Sequence, residues 1–71
     1  MNFLSKKVLE IQKRKLDESE KKLLEIRIKI QQLEHDNQEI SIINNEKKLE
    51  KIWESNIIKI KKEIEKIEKH G

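Results

Sequence analysis

The chain has 71 residues, 44% of them charged and 34% hydrophobic, with a net charge of +3, no Pro, no Cys and a single Gly. That size holds one small domain, and the lack of thiols excludes disulfides, a cysteine nucleophile and cysteine-based metal sites. No apolar run has the form of a signal peptide or approaches the ~18 residues of a membrane span, so a cytoplasmic protein is expected.

A chain dominated by Glu, Lys, Leu and Ile with helical periodicity reads as long helix or coiled coil. The first element starts where Asn2 or Ser5 offers a side-chain cap, and Leu4, Val8 and Ile11 follow at helical spacing. Leu16, Leu23, Ile26, Ile30, Leu33 and Ile40 then form a heptad seam, which needs a facing helix to bury it. The seam reaches back to Leu9, but its alternate positions there are Gln12 and Ser19. Polar groups at such positions cost stability and can fix register. The outer face carries acid-before-base pairs, Glu10–Arg14, Asp17–Lys21, Glu18–Lys22 and Glu25–Lys29, and so is expected in solvent. Leu24 and Ile28 lie off the seam and suggest a second contact face.

The pattern weakens between His35 and Glu46. Asp36 followed by Glu39 has the form of a capping box. Asn44–Asn45 offers residues that tolerate the left-handed conformation of turns. The heptad continues through Asn37 and Ile40 and fails at Asn44 and Lys47, which places the turn at 44–45. Helix 1 is then expected over about 3–43 and helix 2 over about 46–70, in one hairpin domain spanning 1–71. Neither site has Gly or Pro, so one unbroken helix stays open. In the second helix Leu49, Trp53, Ile57, Ile60, Ile64 and Ile67 mark one face, with Ile52 beside it. Gly71 after His70 suits a helix stop.

Few residues gather for chemistry. His35, Asp36 and Glu39 lack the further ligands and facing helix of known helical metal sites, so solvated residues at a helix end are expected, with no metal or cofactor. Ser5, Ser19, Ser41 and Ser55 have no neighbouring His–Asp arrangement or strained turn, and no Gly-rich loop forms a phosphate cradle. Lys13, Arg14 and Lys15 could grip phosphates, as could Lys59, Lys61 and Lys62. Acidic residues interleave with them, however, and Phe3 and Trp53 are the only aromatics. Trp53 lies on the seam, where it fills a hairpin core or anchors a partner.

Residues 3–40 resemble the opening helix of the export-ATPase stalk proteins of flagellar and type III secretion systems. The shared features are the early Val8-Leu9-x-Ile11-x-Lys13 stretch and a long charged heptad helix. That resemblance implies an antiparallel coiled coil that inserts into an ATPase ring and escorts export chaperones, with Lys13, Arg14 and Lys15 facing the ATPase. The chain has about half the length usual for that family. Leu24-Glu25-Ile26-Arg27 with Ile30 and Leu33 is similar to the first helix of all-helical chorismate mutases, which implies that Arg27 binds a substrate carboxylate. The acidic positions that follow in that family are Gln31 and Glu34 here.

The expectation is an all-α, antiparallel two-helix coiled-coil hairpin that assembles into a dimer or four-helix bundle. It would act as a non-enzymatic interaction module (adaptor, chaperone or inhibitor), pairing with another protein or with itself. Leu24, Ile28 and Ile58 form the expected partner face, because a two-helix hairpin leaves them wet. A basic helical nucleic-acid binder is the rival class.

Overall fold

The computed structural model describes residues 2–70. The chain is all-helical: α1 spans Phe3–His35 and α2 spans Ile40–His70, and the two pack against each other as a hairpin. Helices of 33 and 31 residues at ~1.5 Å per residue account for the long dimension of 52 Å, against 14 and 12 Å across.

Each end has a local cause. Asn2 is the N-cap of α1: its Oδ1 accepts the Ser5 N–H at 2.8 Å, and its carbonyl accepts the Lys6 N–H at 3.0 Å. The first bond satisfies a donor left orphaned by the helix geometry, and the second is the first intrahelical bond. At the other end Asp36 is the C-cap, and Asn37 takes a positive φ of 52°. The Gln38 N–H reaches back to the Leu33 carbonyl at 3.0 Å and the Asn37 N–H to the Glu34 carbonyl at 3.3 Å. This is a Schellman motif, with Asn37 in the left-handed position that Gly usually fills. The Glu39 carbonyl then accepts the N–H groups of Ile42 at 3.1 Å and Ile43 at 3.2 Å, which starts α2.

The turn therefore lies at 36–39, ahead of the expected 44–45, and the helices end and begin accordingly. Asn44 and Asn45 are exposed residues inside α2. Asp36 and Glu39 flank the break but do not form a capping box, since Asp36 closes α1 while Glu39 opens α2. The expected stop at Gly71 lies outside the described residues. Lys69 and His70 occupy the last turn of α2, where positive charge suits the helix dipole.

The seam of α1 is an unbroken heptad: Ser5, Leu9, Gln12, Leu16, Ser19, Leu23, Ile26, Ile30 and Leu33 are its buried and half-buried residues. That of α2 is Ile43, Glu46, Glu50, Trp53, Ile57, Ile60, Ile64 and Ile67, with Glu54 and Asn56 half-buried at its edges. Cross-helix ion pairs fix the register, with Lys29 to Glu46 at 3.0 Å and Arg27 to Glu50 at 3.1 Å. Heptad steps from there set Leu33 level with Ile43, Ile30 with Glu46, Ile26 with Glu50 and Leu23 with Trp53. Ser19 comes level with Ile57, Leu16 with Ile60, Gln12 with Ile64 and Leu9 with Ile67. Four polar core residues, Gln12, Ser19, Glu46 and Glu50, thus each stand opposite an isoleucine.

Two expected seam residues fall elsewhere. Ile40 is the first residue of α2 and is 74% exposed, because the chain has already turned. Leu49 is 42% exposed, displaced by Glu46 and Glu50. The aliphatic stems of those glutamates cover the core while their carboxylates reach Lys29 and Arg27.

Candidate helix-packing interface

The two flanks of the hairpin differ. One is closed by charge: Arg27 donates through Nε to Glu50 at 3.1 Å and through Nη2 to Glu54 at 3.2 Å, and Lys47 lies 3.8 Å from Glu34. The hydrogen bonds from Arg27 to Glu54 and then Glu50 push its guanidinium pKa above the usual arginine value. Arg27, which the chorismate mutase likeness would give to a substrate carboxylate, is held here by the chain's own acids.

The opposite flank carries one cross-helix pair, Lys29 to Glu46 near the turn, and is otherwise open. A groove of about 540 Å³ runs along it, lined by Gln12, Lys15, Glu18, Ser19, Lys22, Trp53, Asn56, Lys59 and Ile60. Its origin is local. Ser19 is buried at 6% exposure, but its small side chain leaves the space beside Trp53 unfilled. A smaller groove of about 210 Å³ continues towards the turn, sharing Lys22 and Trp53 and bordered by Glu25, Ile26, Lys29, Glu46 and Leu49. Trp53 is half-buried: it stands in the seam level with Leu23 and also lines both grooves.

Apolar residues extend this flank in both directions. Val8 and Ile11 stand one heptad before Lys15 and Glu18, with Leu4 one heptad before Ile11. Ile42 stands one heptad before Leu49, and Ile52 one before Lys59. All six are exposed. The sequence pattern put Leu49 on the packing face of the second helix, and the groove left no signal in that pattern alone. The available signal was the coincidence of a small polar residue, Ser19, with a tryptophan one layer away.

Leu24, Ile28 and Ile58, the expected partner face, are exposed at 60%, 46% and 54%. They do not form one patch. Leu24 and Ile58 lie on the ion-paired flank, on different helices. Ile28 turns to the back of α1, beside Gln31, Gln32, His35 and Asp36. Lys13, Arg14 and Lys15 are exposed but consecutive, so the ~100° step of a helix spreads them over three sides. Only Lys15 borders the groove. His35 Nδ1 and Asp36 Oδ1 are 3.4 Å apart in solvent, and among the described residues no group of three or more acidic or histidine side chains gathers as a metal ion would need. No helix among the described residues is long and apolar enough to cross a membrane. Comparison of the chain with protein-family models, with curated proteins and with solved structures finds no match.

Proposed function

We propose that this chain is a small protein–protein interaction module, an adaptor, chaperone or inhibitor, that works by packing helix against helix. The observation that carries the reading is the imbalance of apolar side chains. Among the described residues five large ones are buried in the hairpin and seven half-buried, while eleven stay exposed. Six of the eleven share the open flank with the groove, whereas scattered single exposures would need no explanation. A groove between two helices, with apolar walls and a charged rim, suits an amphipathic helix that lays its apolar face into it. A role as stalk or chaperone escort in an export apparatus is a narrower form of this reading, and rests on the resemblance of residues 3–40.

A second reading, a basic helical nucleic-acid binder, is favoured by one observation: Lys15, Lys22 and Lys59 line the same groove as Trp53. Stacking on an aromatic within a basic setting is how single strands are held without sequence preference. Glu18 on the same rim counts against it.

Co-purification from the native host separates the two. A bound protein should survive high salt and nuclease, and should be lost on Leu49→Lys with Ile52→Lys while far-UV circular dichroism keeps its helical signal. Phosphate contacts weaken steeply with salt, and apolar packing does not. A partner lost to salt or nuclease but indifferent to the double substitution would reverse the order of the readings.

A further inference from the structure

On its α1 side, the rim of the open flank has a charge order that reads as its own complement. Along α1 it runs Lys15, Glu18, Lys22, Glu25, alternating in sign at each helical turn. Among the described residues none of these four has an ion-pair partner within 4.0 Å, although Lys29, the next along, is held by Glu46. Read backwards, the order becomes acid, base, acid, base. An identical rim laid antiparallel therefore brings Lys15 to Glu25, Glu18 to Lys22, and the two reciprocal pairs.

We infer that the open flank is the docking surface for a second copy of this chain, arranged antiparallel about a two-fold axis near the level of Glu20. The inference rests on the interaction-module reading and names its partner. An isologous contact must be self-complementary, and two further features meet that condition. The same axis brings Leu4, Val8 and Ile11, at the open end of one copy, level with Ile42 and Leu49 near the turn of the other. It also sets Trp53 of each copy beside the groove of its partner, close to Ile60.

The axis lies near the middle of the hairpin, so the copies overlap over almost their whole length. A flank 52 Å long and 12–14 Å across gives a footprint on the order of 600 Å² per copy. Both footprints together reach the lower bound of stable interfaces, ~1,200 Å². The product is a four-helix bundle in which the ion-paired flanks face solvent.

Sedimentation equilibrium with charge reversal tests this. The native chain should reach twice 8.6 kDa as concentration rises. Lys15→Glu with Lys22→Glu makes the rim wholly acidic, and Glu18→Lys with Glu25→Lys makes it wholly basic. Each double variant alone should self-associate more weakly by roughly tenfold or more, because like charges now meet across the axis. Mixed in equal amounts, the two should recover the native affinity as a one-to-one complex. Equal self-association of variants and native chain, or a mixture no tighter than its components, would overturn the inference.

Trp53 is the only tryptophan, so its fluorescence gives a second readout on the unaltered chain. Its quenching by acrylamide should fall as dimers form. Constant quenching across the dimerisation range would place the contact elsewhere. If the native chain stays a single copy while host co-purification yields a partner sensitive to Leu49→Lys with Ile52→Lys, only this inference falls. If the chain dimerises as described but captures nothing, the module reading narrows to self-assembly.

Discussion

Ser19→Leu should stabilise the hairpin, contrary to the usual effect of enlarging a buried residue. Ser19 is 6% exposed and stands level with Ile57, which is 8% exposed. Its layer therefore has an apolar wall on one side and a small polar side chain on the other. The groove of about 540 Å³ beside it can receive the two extra heavy atoms of leucine without forcing neighbours off their rotamers. Full burial of an aliphatic side chain is worth ~1.5–3 kcal/mol. The groove is open on one side, so roughly half to two thirds of that is expected, about 1–2 kcal/mol. In a chain of this size such a gain raises Tm by roughly 5–15 °C. Thermal melts followed by far-UV circular dichroism, at one low concentration so that association does not contribute, give the comparison. Leucine is also the better helix former. An unchanged or lowered Tm would therefore mean that the layer at Ser19 is already filled, and the account of the groove would fail with it.

Leu23→Ala removes a side chain that is 7% exposed and should cost ~2–5 kcal/mol, while Glu25→Ala at the same low concentration should stay within ~0.5 kcal/mol. Similar urea midpoints for the two would show that the seam is misplaced. Asn37 holds a φ of 52°, so Asn37→Gly should stabilise by a few tenths to about 1 kcal/mol and Asn37→Ala should destabilise by about 1 kcal/mol. Shifts of the same sign would place the turn's conformational cost at another residue.

The helical hairpin was legible because the seam residues Leu23, Ile26, Ile30, Ile57 and Ile64 announce themselves by spacing, and all five are buried. The position of the turn was not. Leu33 to Ile40 is one heptad, so the pattern continues across the break, and apolar content alone gives no reason to stop at Asp36. The deciding feature is conformational, a left-handed Asn37 with two back-hydrogen bonds, and hydrophobic periodicity carries no trace of it. Leu49 was misplaced for the converse reason. Glutamate at a core position looks like surface until a cation on the facing helix is known to receive it, as Lys29 receives Glu46. The open flank was hidden because its residues belong to two helices whose register is set only once the turn is known.

The polar core positions also explain why the chain folds back instead of running on. The seam of α2, from Ile43 through Glu46, Glu50 and Trp53, runs one residue ahead of where the heptad of α1 would continue. An unbroken helix would need two seams out of phase, and a straight partner could follow only one of them. A parallel pair of such rods would also set each residue against its own copy. Gln12 would meet Gln12 and Ser19 would meet Ser19, while Glu46 and Glu50 would each face an identical carboxylate, with like-charge repulsion in a desolvated site. In the hairpin the same four residues face Ile64, Ile57, Ile30 and Ile26, and the two glutamates reach cations at the edge of the seam. The apolar residues thus make helix pairing favourable in general, and the polar ones restrict it to the antiparallel register of this chain with itself. The shortage of volume at Ser19 that this register tolerates is also what leaves the groove beside Trp53 open to an incoming helix.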